Sequence, residues 1–236
     1  MKRIGHKGAD AVRAGNTIES FHAAAELGVD MIEFDLLPTR DGRLLVAHDH
    51  LDADRRDPIG LADALDAFTQ SPLDRIELDC DLKLPGGEDR LAAALAERGL
   101  LGRAMVSTME LSSLAKLRRI DPRLRLGWTY PKVGRDWTGK RWARPGVAAV
   151  LLVMRRRFPR LAARALPRLG VAAIWVYWPL ITPRLAGVAA SAEVELIAWT
   201  VDDAARMRKL RAIGVDGICT NDPRLFVDLR SEADPG

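Results

Sequence analysis

Two carboxylates interrupt an otherwise apolar segment, MIEFDLL, at residues 31 to 37. Glu33 and Asp35 stand two positions apart, and side chains at i and i+2 of a β-strand point to one face, so both acids share a side. A buried carboxylate without a partner is strongly unfavourable, so the pair requires a cation, a proton or solvent. A second segment, IELDCDLKL at 76 to 84, repeats the pattern: Glu77, Asp79, Asp81 and Lys83 alternate with Ile76, Leu78, Cys80, Leu82 and Leu84. Acids of this kind, with no cysteine ligands or H-x-x-x-H pair beside them, suit a hard cation such as Mg²⁺ or Ca²⁺ better than zinc. The chain has four histidines, and two of them, His6 and His48, close extended segments. Those two are free for proton transfer, because imidazole titrates near neutral pH. His22 falls on a helical stretch, and His50 reads as a rim group. Any one of the acids alone is more readily explained by an internal ion pair; the two histidines at strand ends are what argue for chemistry.

These groups need a scaffold that brings them together. Strand-like pieces recur at 3 to 6, 31 to 37, 76 to 84, 104 to 108, 125 to 130, 172 to 178, 194 to 201 and 216 to 221. Helical patterns follow them near 17 to 27, 60 to 69, 88 to 99, 110 to 120, 145 to 167, 183 to 192, 203 to 213 and 222 to 230. Eight strand-helix units in 236 residues predict a (β/α)8 TIM barrel. The expected organisation is a single domain over residues 1–230, with a short insertion after strand 2 and a frayed tail at 231–236. Functional groups of such a barrel sit at the C-terminal ends of its strands, and helices cover its outside with an apolar layer. The charged faces of the second and third strands should therefore be interior. Asn16 and Glu19 read as a capping box for the first helix. Asp41-Gly42 is a hairpin signal that folds RLLVAH back beside strand 2 and carries His48 toward the acids.

The bulk composition excludes several classes. A hydrophobic share of 48% supports one sizeable core, and the net charge of +4 is spread along the chain with no basic recognition motif, which argues against a nucleic-acid partner. Cys80 and Cys219 lie in apolar runs and offer neither a disulfide framework nor a zinc spacing. Two thiols of that kind, and no leader-like pattern in MKRIGHKG, point to a reducing, cytoplasmic setting. The longest apolar run, GVAAVLLVM at 146 to 154, is too short for a transmembrane segment.

The order of short motifs is more specific than any of these. The stretch GHKGADAVRAGNTIESFHAAAELGVDMIEFDLLPTRDGRLLVAHD resembles the N-terminal signature of the glycerophosphodiester phosphodiesterase (GDPD) family, which runs H-R-G, E-N-T, A-F, G-x-D, E-x-D, T-x-D-G and H-D. The likeness continues through LDCDLK, VSTMELSSLAKLRRIDPRLRLGW, AWTVDD and GVDGICTNDP. It implies a metal-dependent hydrolase that splits a glycerophosphodiester into an alcohol and glycerol 3-phosphate. By position, His6 and His48 match the family's catalytic acid and base, and Glu33, Asp35 and Asp81 match its ligands for a divalent ion, Mg²⁺ or Ca²⁺. Lys83 matches the lysine of E-x-K that holds a phosphate oxygen, and Trp199 an aromatic lining the alcohol portion. Lys7 stands where the family has arginine, and takes the phosphate with a point charge instead of a bidentate fork. Gly15 replaces the glutamate of E-N-T, and Asp81 replaces a glutamate one methylene longer.

Two alternatives accompany this reading. One is a lysophospholipase D-like phosphodiesterase acting on lysophospholipids; the other is a catalytically weak phosphodiester-binding barrel. The first draws on YPKVGRDWTGKRWAR at 130 to 144, where Trp137 and Trp142 stand among Lys132, Arg135, Lys140, Arg141 and Arg144. With the apolar run that follows, residues 130–154 form a candidate site of peripheral contact with lipid. The same stretch is equally well read as a loop packed on the rim with its charges in solvent.

Overall fold

The computed structural model of the protein describes residues 1–132 and 144–230. The chain runs β1 (Lys2–His6), α1 (Ile18–Glu26), β2 (Met31–Pro38), β3 (Leu44–Leu45), α2 (His50–Arg55), α3 (Leu61–Ala67), β4 (Glu77–Leu82) and α4 (Glu88–Glu97). It continues through β5 (Ala104–Thr108), α5 (Leu111–Ile120), β6 (Arg125–Tyr130), α6 (Arg144–Leu169), β7 (Ala173–Tyr177), α7 (Pro183–Ser191), β8 (Glu195–Trp199), α8 (Ala204–Ile213), β9 (Gly217–Thr220) and α9 (Val227–Arg230). Eight of the strands are parallel neighbours in the order β1-β9-β8-β7-β6-β5-β4-β2, and β1 also pairs with β2, which closes the barrel. β3 is antiparallel to β2, with Leu45 opposite Leu37, so the Asp41-Gly42 turn folds the chain back as expected.

The alternation in β2 and β4 separates two cores. Outward-facing Ile32, Phe34, Leu36, Leu78, Cys80 and Leu82 belong to the large layer under the helices. There Phe34 lies 5.4 Å from Phe21 of α1 and 5.8 Å from Phe68, ring centroid to ring centroid. Inside the barrel a small separate cluster joins Ile4, Met31, Met105, Ala173, Trp175, Ile197 and Cys219. Above it come the acids. At the opposite, N-terminal end of the strands the interior is closed by charges from alternate strands: Lys2 pairs with Glu77 (3.1 Å) and Glu195 (3.0 Å), and Arg125 with Glu77 (3.0 Å). Glu77 thus faces inward with Asp79 and Asp81, yet it belongs to the base of the barrel.

Several boundaries differ from the expectation. The capping box of α1 is made by Thr17 and Ser20, not Asn16 and Glu19: Thr17 accepts from the Ser20 amide and Ser20 from the Thr17 amide. Between β3 and β4 there are two short helices instead of one. α2 starts where Asp49 accepts the Asp52 amide, and stops before Asp57-Pro58, since the residue ahead of a proline is kept extended. Near the end, Asp222 caps a tight 3₁₀ turn over Pro223–Phe226 ahead of α9, which breaks the helix expected over 222 to 230. Residues 133–143, including Trp137 and Trp142, and the tail at 231–236 lie outside the described residues.

The charged base is separable from the mouth, which gives a stability test. Glu77→Gln leaves Lys2 and Arg125 to share Glu195, and is expected to cost about 1–2 kcal/mol in urea unfolding, because the groups are only partly exposed. The same variant should leave KM for a phosphodiester unchanged; a shifted KM would mean that the base and the mouth are coupled.

Candidate active site

At the C-terminal end of the strands, His6, Glu33, His48, Asp79, Asp81, Lys83, Ser107, Thr129, Trp175 and Trp199 are among the residues that line a cavity of about 170 Å³. Strand register explains the grouping. Glu33 is level with Asp79 and with His6 on the neighbouring strands, and Asp35 is level with Asp81 one layer higher. Ligand oxygens of Glu33, Asp35 and Asp81 all lie within 4.8 Å of one another. Lys83 follows directly on β4, and its Nζ forms ion pairs with both Asp35 and Asp81.

Glu33, Asp35 and Asp79 do not share one state. Burial works against the charge of Asp35, but Lys83 and then Lys7, whose Nζ is 3.8 Å away, outweigh it and hold the carboxyl far below its usual range. Glu33 is pushed well upward by burial and by the charge of Asp35. Asp79 is also pushed well upward, by burial and by Asp81, although Ser107 Oγ donates to its Oδ2 at 2.7 Å. Lys83 keeps its proton despite burial, because Asp35, Asp81 and Glu33 surround it. One charged aspartate therefore sits beside two acids that favour the neutral form.

Three elements hold these groups in place. The turn after β1 puts Lys7 in the left-handed region (φ 52°), which is uncommon for a lysine. It is held there because the Lys7 amide donates to Glu33 Oε2 (3.0 Å), while the Lys7 carbonyl accepts from the Asn16 amide (3.0 Å) and Ser20 Oγ (2.7 Å). Gly8 follows at φ 86°, where a Cβ would lie 2.5 Å from Ser20 Oγ, so the turn needs glycine there. Asn16 is buried, and its Nδ2 donates to Asp35 Oδ2 (2.8 Å) while its Oδ1 accepts the Asp35 amide (3.0 Å).

His6 is fixed from the other side. Its Nδ1 lies 2.6 Å from Asn221 Oδ1, and Asn221 Nδ2 donates to Asp202 Oδ2 at 2.7 Å. With the amide nitrogen committed to Asp202, Oδ1 can only accept, so His6 carries its proton on Nδ1 and leaves Nε2 as a lone pair 3.9 Å from Glu33 Oε2. Burial keeps this imidazole below its ordinary pKa, partly countered by Asp35. His48 is half exposed at the rim; its amide donates to Asp52 Oδ2 (2.9 Å) and its Nδ1 to Asp49 Oδ2 (3.0 Å), so its Nε2 is left for the cavity.

All eight residues singled out from the sequence fall at this mouth. Trp199 stands against Tyr177, with ring centroids 5.7 Å apart, and its buried indole Nε1 has no hydrogen-bond partner among the described residues. Asn16, Asp79, Asp202 and Asn221 were not expected in roles. The motif fragments G-N-T, T-V-D-D and T-N-D-P contain three of them, and Asp79 shares the alternation of Asp81. At Gly15 the space a side chain would take is filled: a Cβ would lie 2.5 Å from Asp10 Oδ1, which already accepts the Gly15 amide at 2.8 Å.

A carboxylate cluster, a lysine and two histidines at the mouth of a barrel fit phosphoryl chemistry, and comparison with known proteins decides the family. The model of the glycerophosphoryl diester phosphodiesterase family matches residues 6–71 and 86–225. The chain belongs to this family. Its members are phosphoric diester hydrolases, and the chain is accordingly one of them. A glycerophosphodiester phosphodiesterase of Caldanaerobacter subterraneus subsp. tengcongensis is 27% identical over 259 residues, 96% of each protein. The crystal structure of a glycerophosphodiester phosphodiesterase from Parabacteroides distasonis shares the fold with a TM-score of 0.77 at 20% identity, over 99% of this chain and 98% of that one. A phosphodiesterase of Oleispira antarctica, solved with the product sn-glycerol-3-phosphate, aligns with a TM-score of 0.72 at 16% identity over 98% and 97% of the two chains.

The Asn16 bridge yields a prediction. Asn16→Ala removes a donor and an acceptor from buried Asp35, and unfolding by denaturant should show a loss of about 1–3 kcal/mol. Thr17, one residue on, is the helix cap, so Thr17→Ala serves as control: it should cost about 1 kcal/mol and leave the Asp35 environment intact.

Proposed function

We propose that the protein hydrolyses glycerophosphodiesters to an alcohol and glycerol 3-phosphate, with a divalent cation, Mg²⁺ or Ca²⁺, held by Glu33, Asp35 and Asp81. The observation that carries this reading is the meeting of three buried carboxylates, Lys83 and the lone pair of His6 Nε2 around one small cavity. The donor set fits a hard cation: its oxygens are within 4.8 Å of one another, and Asp81 Oδ1 is buried without a hydrogen bond among the described residues. Lys7 and Lys83 are two positive charges against three carboxylates, so a divalent cation and the negative charge of a phosphodiester together bring the site close to neutrality. A cation bound there would act as a Lewis acid on the phosphate oxygens.

The residues of the chain then divide the remaining tasks. Lys7 and Lys83 bind phosphate oxygens and stabilise the charge that develops on them. His6, with Nδ1 donating to Asn221, takes the proton of the nucleophile at Nε2; the nucleophile is a water or a neighbouring substrate hydroxyl. His48, oriented by Asp49, returns a proton to the leaving alkoxide. Trp199 covers the alcohol portion. The cavity of about 170 Å³ holds a phosphate and a small polar group; an acyl chain would have to leave over the rim. Lysophospholipids are the second reading, favoured by exposed apolar residues of α6 such as Val150, Leu152 and Val153. The free, buried thiols Cys80 and Cys219 suit a cytoplasmic compartment.

Release of choline or ethanolamine from glycerophosphodiesters tests this directly. His6→Ala and His48→Ala are each expected to lower kcat by about 10²- to 10⁴-fold. Chelation should abolish turnover and added Mg²⁺ or Ca²⁺ restore it. Turnover that survives chelation would remove Glu33, Asp35 and Asp81 as ligands, and turnover of lysophospholipids alone would replace the first substrate class with the second.

A further inference from the structure

The helix α6 is out of proportion to the barrel. It has 26 residues, whereas no other helix among the described residues exceeds 10. Its C-terminal half packs normally: Phe158, Ala162 and Leu166, spaced by four, are buried in the outer core, and Phe158 stacks on Tyr130 at 3.8 Å. Arg155 lies beside Trp178 and Pro179, the residues that directly follow β7, and so marks the level of the barrel rim. Because α6 follows β6 and runs back toward the start of β7, the turns before Arg155 lead outward on the mouth side. The residues from Arg144 to Met154 make up about 16 Å of helix.

What this outer part displays is unusual for a helix in water. Gly146 to Met154 contains no charge, and Val150, Leu152 and Val153 are 58%, 49% and 49% exposed. Leu151 and Met154 cover one side of this segment against the outer core, while Val150, Leu152 and Val153 leave an apolar face on the other, which is the face of a helix that something apolar covers. Directly behind it come Arg155, Arg156, Arg157 and Arg160, with Arg164 and Arg168 further along the packed half; all six are exposed, and α6 contains no acidic residue. Pro159 cannot donate to the carbonyl of Arg155, so the helix lacks one backbone hydrogen bond between the packed half and the outer half. Other large exposed apolar residues also gather on the mouth side: Leu51 on α2, Leu84 after β4 and Leu111 at the start of α5.

From these observations we infer that the outer half of α6 docks the mouth of the barrel on an anionic bilayer, with the apolar tip among the acyl chains and the arginine collar at the phosphate level. The partner follows from charge and length. Nine apolar residues cannot span a bilayer but are enough to enter its interface, and an acid-free row of arginines complements an anionic lipid surface. No helix among the described residues is long and apolar enough to cross a membrane, so the contact is peripheral. The orientation explains why the cavity should face lipid, and in that respect it rests on the phosphodiesterase reading; the docking itself does not need catalysis.

Vesicle co-sedimentation tests it with the intact protein. Binding to phosphatidylcholine vesicles that contain phosphatidylglycerol is expected to be at least about tenfold tighter than to pure phosphatidylcholine vesicles, and to weaken at high salt. L152D/V153D and, separately, R156E/R157E should each reduce that binding about tenfold or more while hydrolysis of a soluble glycerophosphodiester stays at the wild-type rate. Equal binding to both vesicle types, or undiminished binding by both variants, overturns the proposal. A wild-type protein that ignores vesicles and sediments as a dimer, made monomeric by L152D/V153D, overturns lipid in favour of a second copy of the chain. Vesicle binding kept without hydrolysis supports docking and rejects only the catalytic reading, whereas hydrolysis kept without vesicle binding rejects docking alone.

Discussion

Asp35 has no exposed surface and is nonetheless charged, and the mouth of the barrel is arranged around that fact. A carboxylate removed from water needs both opposite charge and hydrogen bonds to remain ionised. Lys83 supplies most of the charge from the end of β4, Lys7 adds to it from the turn after β1, and Asn16 supplies the hydrogen bond from the approach to α1. One side chain thus ties the β1–α1 connection to the end of β4, two places remote in sequence. The same charge sets the state of its neighbours, because Glu33 cannot ionise beside Asp35 as easily as it would alone.

A barrel tolerates this concentration of polar groups because its apolar core lies elsewhere. The large hydrophobic layer between strands and helices is built from the outward residues of β2 and β4, and it does not depend on what faces inward. Inside, a thin plug around Met31, Met105 and Ile197 separates the acids at the mouth from the ion pairs of Lys2, Glu77, Arg125 and Glu195 at the base. The mouth can therefore be tuned for chemistry while folding free energy comes mostly from the outer layer.

The period-2 alternation of MIEFDLL and IELDCDLKL was enough to read the interior face, because alternation is a local property of a strand and the apolar face declares the helix side. Depth along the barrel was not legible in that pattern. Glu77 and Asp81 look alike in the sequence, yet four residues at about 3.3 Å each separate a structural ion pair from a site acid. Asn16 was misread for a related reason: an asparagine ahead of a helix satisfies a local cap rule, and nothing local reveals that its partner is Asp35, 19 residues on. Asn221 and Asp202 needed the closure of β9 against β1 before their link to His6 could be seen.

Lys83 carries the tension that makes the site more than an ion-pair network. Its ammonium neutralises Asp35 and Asp81 at once, so it cannot give its full charge to a phosphate while both carboxylates depend on it. A cation shared by Glu33, Asp35 and Asp81 would take over that neutralisation and free the lysine for an anion. By linkage, the bound phosphate would in turn strengthen the hold on the cation, since each relieves the charge imbalance left by the other. The shift toward the neutral form at Glu33 has the same origin: burial and the charge of Asp35 raise it, and with Lys7 and Lys83 paired to Asp35 and Asp81 a proton takes the place of a further positive charge. Burial, which makes every unmatched charge here costly, is what turns these separate equilibria into one.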